Sequence, residues 1–262
     1  MRKFSSLLLF FLIFLLSSGG AVWPAEAPDE AQLSADRMRF DSRSGYFEAT
    51  GNVVIKADGL TVRAPQGTGN VKNKEIHFTE GIVASGDWQG EWIDLVAGSI
   101  SLYFAQTPTY TVEGGVKGDL GRIYVDADKL YMKGVDISAK GVRRLEDRET
   151  DVAFGAEDVF GTLVDGVLTS MTAKSKVWLQ GRPNSLGDMV DIRGDTAVYS
   201  VERGSVVLSG NVRAVQQGRS LTAQSLVYFP SNNRIDALGD STLSSPARIT
   251  IDLNRERERN RN

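Results

Sequence analysis

The sequence predicts an all-β fold, and three observations carry that prediction. Beyond an N-terminal apolar run, hydrophobic periodicity is close to two rather than 3.6. Gly, Asn, Asp and Ser break the apolar runs every ten or so residues, the spacing of a sandwich, barrel or roll. No segment carries a convincing amphipathic helical pattern, and only the stretch from Ala27 to Met38 reads as a helical turn.

The first element is the segment from Met1 to Ala21. Arg2 and Lys3 form a basic start, Leu7 to Leu16 are unbroken apolar residues, and small residues follow, the layout of a secretory signal peptide. The run falls well short of the ~20 residues needed to span a bilayer. Cleavage after Ala21 satisfies the small-x-small rule through Gly19, and cleavage after Ala27 satisfies a similar one. An uncleaved anchor is the alternative. The chain has no cysteine, which excludes a lipid-modified N-terminus and any disulfide framework. A bacterial periplasm suits such an exported chain.

Residues 30–254 form the predicted β domain. In "YFEATGNVVIKA", Phe47, Ala49, Val53, Ile55 and Ala57 share one parity; Glu48, Thr50, Asn52 and Lys56 share the other. That alternation places one side on a core and the other in water. Runs such as "GRIYVDADKLYM", "KVWLQG", "SVVLSGNVRAV" and "SLTAQSLVYF" repeat it, and "SLVYF" reads as part of the last long strand. The dense charges from Arg143 to Asp151 read as a solvated loop, or as a seam between two halves. The tail 255–262 has no apolar residue to bury and reads as disordered.

An internal repeat links the two ends. At an offset of 159 residues, Asp36 falls on Asp195 and Gly45 on Gly204. At the same offset Gly51-Asn52-Val53 falls on Gly210-Asn211-Val212, and Gly59 on Gly218. A third Gly-Asn-Val stands at Gly69 to Val71. The kept glycine spacing marks a repeated strand–turn–strand unit with positive φ at its turns and bulges.

Catalytic chemistry finds no foothold in this pattern. There is no Cys, and the one histidine, His77, sits in "EIHFTE" without a partner motif and reads as a partly exposed strand residue. Zinc sites of ordinary ligand sets and phosphate-binding glycine loops are not present. Carboxylates are paired in "DADK" and "GDMVDIRGD", where turn formation accounts for them. No catalytic residue, metal ligand or cofactor is therefore assigned. With 30 basic against 33 acidic residues the chain lacks the footprint of a nucleic-acid binder. It reads as a binding protein.

The stretches Leu33 to Ala64 and Asp191 to Asp240 resemble the OstA-like repeat of the LptA family of lipopolysaccharide transport proteins. The resemblance rests on Ala-Asp, a turn, a strand ending in Gly-Asn-Val and a strand ending near Ala, with "ALGD" closing the second copy. It implies an elongated, open β-jelly-roll, or β-taco, around an apolar groove. It further implies a periplasmic bridge protein that carries lipopolysaccharide from the inner to the outer membrane of a Gram-negative bacterium. The expected groove residues are Phe47, Val53, Ile55, Val62, Val206, Leu208, Val212 and Leu221, whose alternation suits a dry sandwich core equally well. The implied partners are the lipid A moiety, LptC-like and LptD-like components, and further copies joined head to tail. An anchored LptC-like component, a lipid-free β-solenoid and a carbohydrate-active roll are the rival readings.

Overall fold

The computed structural model describes residues 32–251, apart from 58, 89–90, 104–106, 149–151, 165–166, 182–188, 201, 217–218, 230–233 and 240–246. The expected signal peptide and the C-terminal tail lie outside the described residues.

The described chain is strand from end to end. In order the strands are β1 (Gln32–Ser34), β2 (Arg37–Asp41), β3 (Tyr46–Ala57), β4 (Leu60–Asn70), β5 (Glu75–Thr79) and β6 (Ile82–Trp88). There follow β7 (Glu91–Ala97), β8 (Ser99–Tyr103), β9 (Thr109–Leu120), β10 (Ile123–Lys133), β11 (Asp136–Asp147) and β12 (Val152–Val164). The last six are β13 (Val167–Gly181), β14 (Val190–Ser200), β15 (Ser205–Gln216), β16 (Arg219–Phe229), β17 (Arg234–Leu238) and β18 (Arg248–Ile251). Every ladder is antiparallel, and from β9 to β16 each strand pairs with its neighbours in sequence. Four courses of this meander are broken into two strands. β1 and β2 share β3 as partner, β5 and β6 share β4, β7 and β8 share β9, and β17 and β18 share β16.

The breaks and the β-bulges fall on one line. Register shifts interrupt the ladders at Thr50/Val53, Asp126/Lys129, Val142/Leu145, Gly155/Asp158, Lys174/Val177, Arg193/Thr196 and Ser209/Val212. A bulge bends its strand and sharpens the twist. Aligned across the sheet, the bulges fold each course at its middle, so one sheet becomes two facing leaves. The first leaf holds β2, β5, β8 and β17, and the second holds β1, β6, β7 and β18. Each long strand contributes one half to each leaf. Pro65 stands on the bulge line of β4, where no ladder hydrogen bond is required of it.

Between the leaves lies one continuous core. Val53, Ile82, Val116, Val125, Val177, Leu208, Val212 and Leu226 are fully buried in it. The alternation read from the sequence is what delivers these side chains to a common interior.

Three expectations are corrected. Arg143 to Asp147 form the end of β11 rather than a loop, and Asp147 is buried; residues 149–151 lie outside the description. The helical turn expected near Ala27 to Met38 is extended chain over its described part, in β1 and β2. The third Gly-Asn-Val belongs to a hairpin end, where Asn70 Oδ1 accepts the backbone N–H groups of Lys72 (2.9 Å) and Asn73 (3.1 Å).

Candidate functional site

The repeated motif builds the corner of the fold. Gly51 and Asn52 both have positive φ (73° and 48°), as do Gly210 and Asn211 (78° and 50°). Two successive left-handed residues are costly for side chains other than Gly, with Asn tolerated best. Asn also returns something specific. Asn52 Nδ2 donates to Asp36 Oδ2 across the bulge at 2.9 Å, and Asn211 Nδ2 donates to Asp195 Oδ2 at 2.8 Å. The Ala-Asp and Gly-Asp dipeptides opposite each bulge are therefore the other half of the motif.

The same device recurs, in altered residues, in the region where the sequence showed no repeat. Ser175-Lys176-Val177 takes the bulge, with φ of 63° and 54° at the first two, and Lys176 Nζ donates to Glu157. Gly141 (φ 56°) stands opposite Asp128, whose carboxylate accepts from Arg143, while Arg143 Nε also donates to Asp126 at 2.6 Å. On β9, Gly114-Gly115-Val116 fills the same place with φ of 86° and 81° at the glycines. Glycine backbone closes the line: Gly81 N–H donates to Gly98 O (2.9 Å) and Gly98 N–H to Gly114 O (3.1 Å), and a Cβ on Gly114 would run into the Gly98 backbone. The signal that would have found these copies is a small residue plus an acid, facing a bulge that ends in a buried Val. The exposed ties are expected to contribute modestly. A double-mutant cycle of Asp195→Ala and Asn211→Ala should give a coupling of about 1 kcal/mol in chemical denaturation.

The corner positions the expected groove residues. Phe47, Val206 and Leu208 enter the interior from the first leaf; Val53, Ile55, Val62, Val212 and Leu221 enter from the second. All are buried except Leu221, which is half-buried against the same core. The sequence expectation omitted the middle of this interior. Ile123, Leu145, Phe154, Val177 and Leu179 of the second leaf face Met171, Ala197, Tyr199, Val206 and Leu208 of the first around a void of about 60 Å³. The alternation of "KVWLQG" marked Val177 and Leu179. Burial pushes the Tyr199 hydroxyl above its ordinary pKa. The void is apolar except at the rim opposite the corner, where the buried Asp147 carboxylate faces inward and pairs with Arg122 at 3.8 Å. It is far below the roughly 300 Å³ of a small-ligand site. At this leaf spacing the interior is a packed core.

At both ends of the sheet that core is uncovered. Met38 and Phe40 of β2 pair with Ala49 and Phe47, so they point inward, yet they are 50% and 56% exposed. At the other end Ile235 of β17 faces Tyr228 and Ile249 of β18 faces Leu221; they too point inward and are 41% and 68% exposed. No ladder among the described residues covers the outer side of β2 or of β18.

Among the described residues no group of three or more His, Cys, Asp or Glu is placed to hold a metal ion. His77 is exposed on β5, its Nδ1 within 3.0 Å of Ser101 Oγ. Fold and site together define an all-β roll with an apolar interior that reaches both of its open ends. No family model and no curated protein matches the chain. Among solved structures, it is similar to LptH of Pseudomonas aeruginosa, described as the LptA-homologous periplasmic component of the lipopolysaccharide transport device. The TM-score is 0.26 at 13% identity, over 85% of this chain and 95% of that one.

Proposed function

We propose that this protein binds the acyl chains of lipopolysaccharide between its two leaves and passes the lipid along the roll as a periplasmic bridge. The observation that carries the reading is the apolar interior that runs through the sheet and stays exposed at both ends. Water exposure of acyl chains costs ~0.8 kcal/mol per CH₂, so a fourteen-carbon chain costs on the order of 10 kcal/mol. An apolar interior removes that cost without any catalytic residue. The OstA-like resemblance of the two end repeats supports lipopolysaccharide as the amphiphile. Because the void is small, loading parts the leaves about the corner line, and Val53, Ile55, Val62, Leu208 and Val212 then face the lipid. Native mass spectrometry of protein drawn from a Gram-negative envelope tests the reading: lipid A-containing adducts are expected, and their absence would sink it.

The open ends support the second half of the proposal, a head-to-tail chain of copies or a junction with LptC-like and LptD-like partners. Exposed strand edges pair readily with other edges. The last long strand expected from "SLVYF", β16, is not an edge: it lies inside the sheet, with Val227 paired to Val207 on one side and to Asp236 on the other. The edges belong to β1 and β2 at one end and to β17 and β18 at the other. Phe40→Lys and Ile249→Lys place charges on exposed positions of the two edges. Each is expected to reduce self-association in analytical ultracentrifugation while leaving the melting curve almost unchanged. A closed dimer indifferent to both would count against the end-to-end contact.

A further inference from the structure

A row of arginines crosses the outer face of the second leaf near the C-terminal end. Trp178 of β13 faces Arg193 of β14, and Arg193 directly faces Arg213 of β15. Arg213 faces Thr222 of β16, and Thr222 faces Arg248 of β18. All three arginines and Thr222 are exposed. Like charges directly opposite on neighbouring strands destabilise a sheet. Elsewhere this protein compensates such pairs: Lys129 faces Lys140, but Glu113 lies across from Lys129 at 2.8 Å and Asp158 lies across from Lys140. In the arginine row the ladder neighbours are Trp178 and Thr222, and neither is an acid. Asp191, one row away, accepts from Arg193 Nε at 3.0 Å and Nη2 at 3.5 Å, and from Gln180 Nε2 at 2.8 Å. Asp195 is taken up by Asn211 at the corner. Arg193 is thus paired, and the local excess of positive charge on a chain of net charge −3 falls on Arg213 and Arg248.

We propose that Arg213, Thr222 and Arg248 form a phosphate-binding row on the outside of the roll, flanked by the Arg193–Asp191 pair. Neighbouring strands lie ~4.8 Å apart. Arg213 and Arg248 therefore stand two strand spacings apart with Thr222 between them, a span that two long side chains close around one anionic group. Guanidinium forks match phosphate oxygens in bidentate geometry, and the Thr222 hydroxyl adds a donor between them. The ligand class is a molecule bearing exposed phosphate groups, free or at the end of a glycan, held flat against the sheet. The site does not depend on what the interior holds.

Pyrophosphate titrated into the mature chain at low salt, followed by NMR, is the test. Saturable shifts of the Arg213 and Thr222 amides are expected, with a Kd of roughly millimolar order. Arg213→Gln and Arg248→Gln should each weaken binding about tenfold. Neither should lower the melting temperature, since Arg213→Gln also removes an opposed charge. Absence of saturable shifts, or unchanged affinity in Arg213→Gln, overturns the site. Sedimentation with phosphatidylcholine vesicles containing phosphatidylglycerol supplies the second arm. Vesicle binding without pyrophosphate binding overturns the phosphate row and assigns the arginines to a membrane surface instead.

Discussion

Leu208→Asp is expected to abolish both the fold and the binding of lipid. Leu208 is fully buried, borders the void between the leaves, and lines it together with Met171, Tyr199 and Val206. A carboxylate there is either an uncompensated buried charge or a protonated acid without partners, and either costs heavily. A loss of about 4–5 kcal/mol is expected, the upper range for single substitutions. Val53→Asp, equally buried at the other end of the interior, should behave alike. Because unfolding alone would erase binding, Leu208→Ala separates the two effects. It should cost about 2–5 kcal/mol and enlarge the void. If that variant remains folded it should still take up a lipid A-like ligand, since the interior stays apolar. A folded Leu208→Asp protein that binds lipid A normally would remove the interior from the proposed function.

The second large effect is expected at the corner. Gly210→Val puts a β-branched residue at φ 78°, and its Cβ would run into the Asp195 carboxylate. Left-handed backbone costs a side-chain-bearing residue about 1–2 kcal/mol, and the displaced Asp195–Asn211 tie adds to it. A total near 3 kcal/mol is expected, which for a domain of this size lowers the melting temperature by roughly 6–12 °C. Asn211→Gly is the control: it loses the tie and relieves the backbone, so the two effects nearly offset. Equal losses from both variants would show that the corner is held by side-chain hydrogen bonds alone rather than by backbone conformation.

Much of the fold was legible because its demands are local. Period-two alternation decides which side chains share a face, and Phe47, Val53, Ile55, Val206, Leu208 and Val212 are buried together as that alternation requires. The Gly-Asn-Val repeat was legible because two consecutive positive-φ residues admit few residue types, and because Asn needs an acid across the bulge. The same logic explains what was missed. Ser175-Lys176 and Gly114-Gly115 reach the same backbone shape by other residues, so copies of the corner in mid-chain lack the Asn and keep little more than the closing Val. Arg143 to Asp147 looked like a loop because its charges hide a strand. There Arg143 serves the corner while Leu145 and Asp147 turn inward.

By itself the sequence determined an all-β chain with one apolar face and a repeated bend, since backbone geometry and side-chain alternation are properties of neighbouring residues. Only the tertiary structure decided three further matters. It made β1, β2, β17 and β18 the edges, leaving Met38, Phe40, Ile235 and Ile249 inward but uncovered. It lined up Arg193, Arg213, Thr222 and Arg248 in one row across the ladders, a neighbourhood that their separation in sequence hides. And it set the leaves at a distance that leaves a void of only about 60 Å³ between them. Alternation is the same whether two leaves stand apart or press together; their separation is fixed by bulge geometry and by how the two sets of side chains interdigitate.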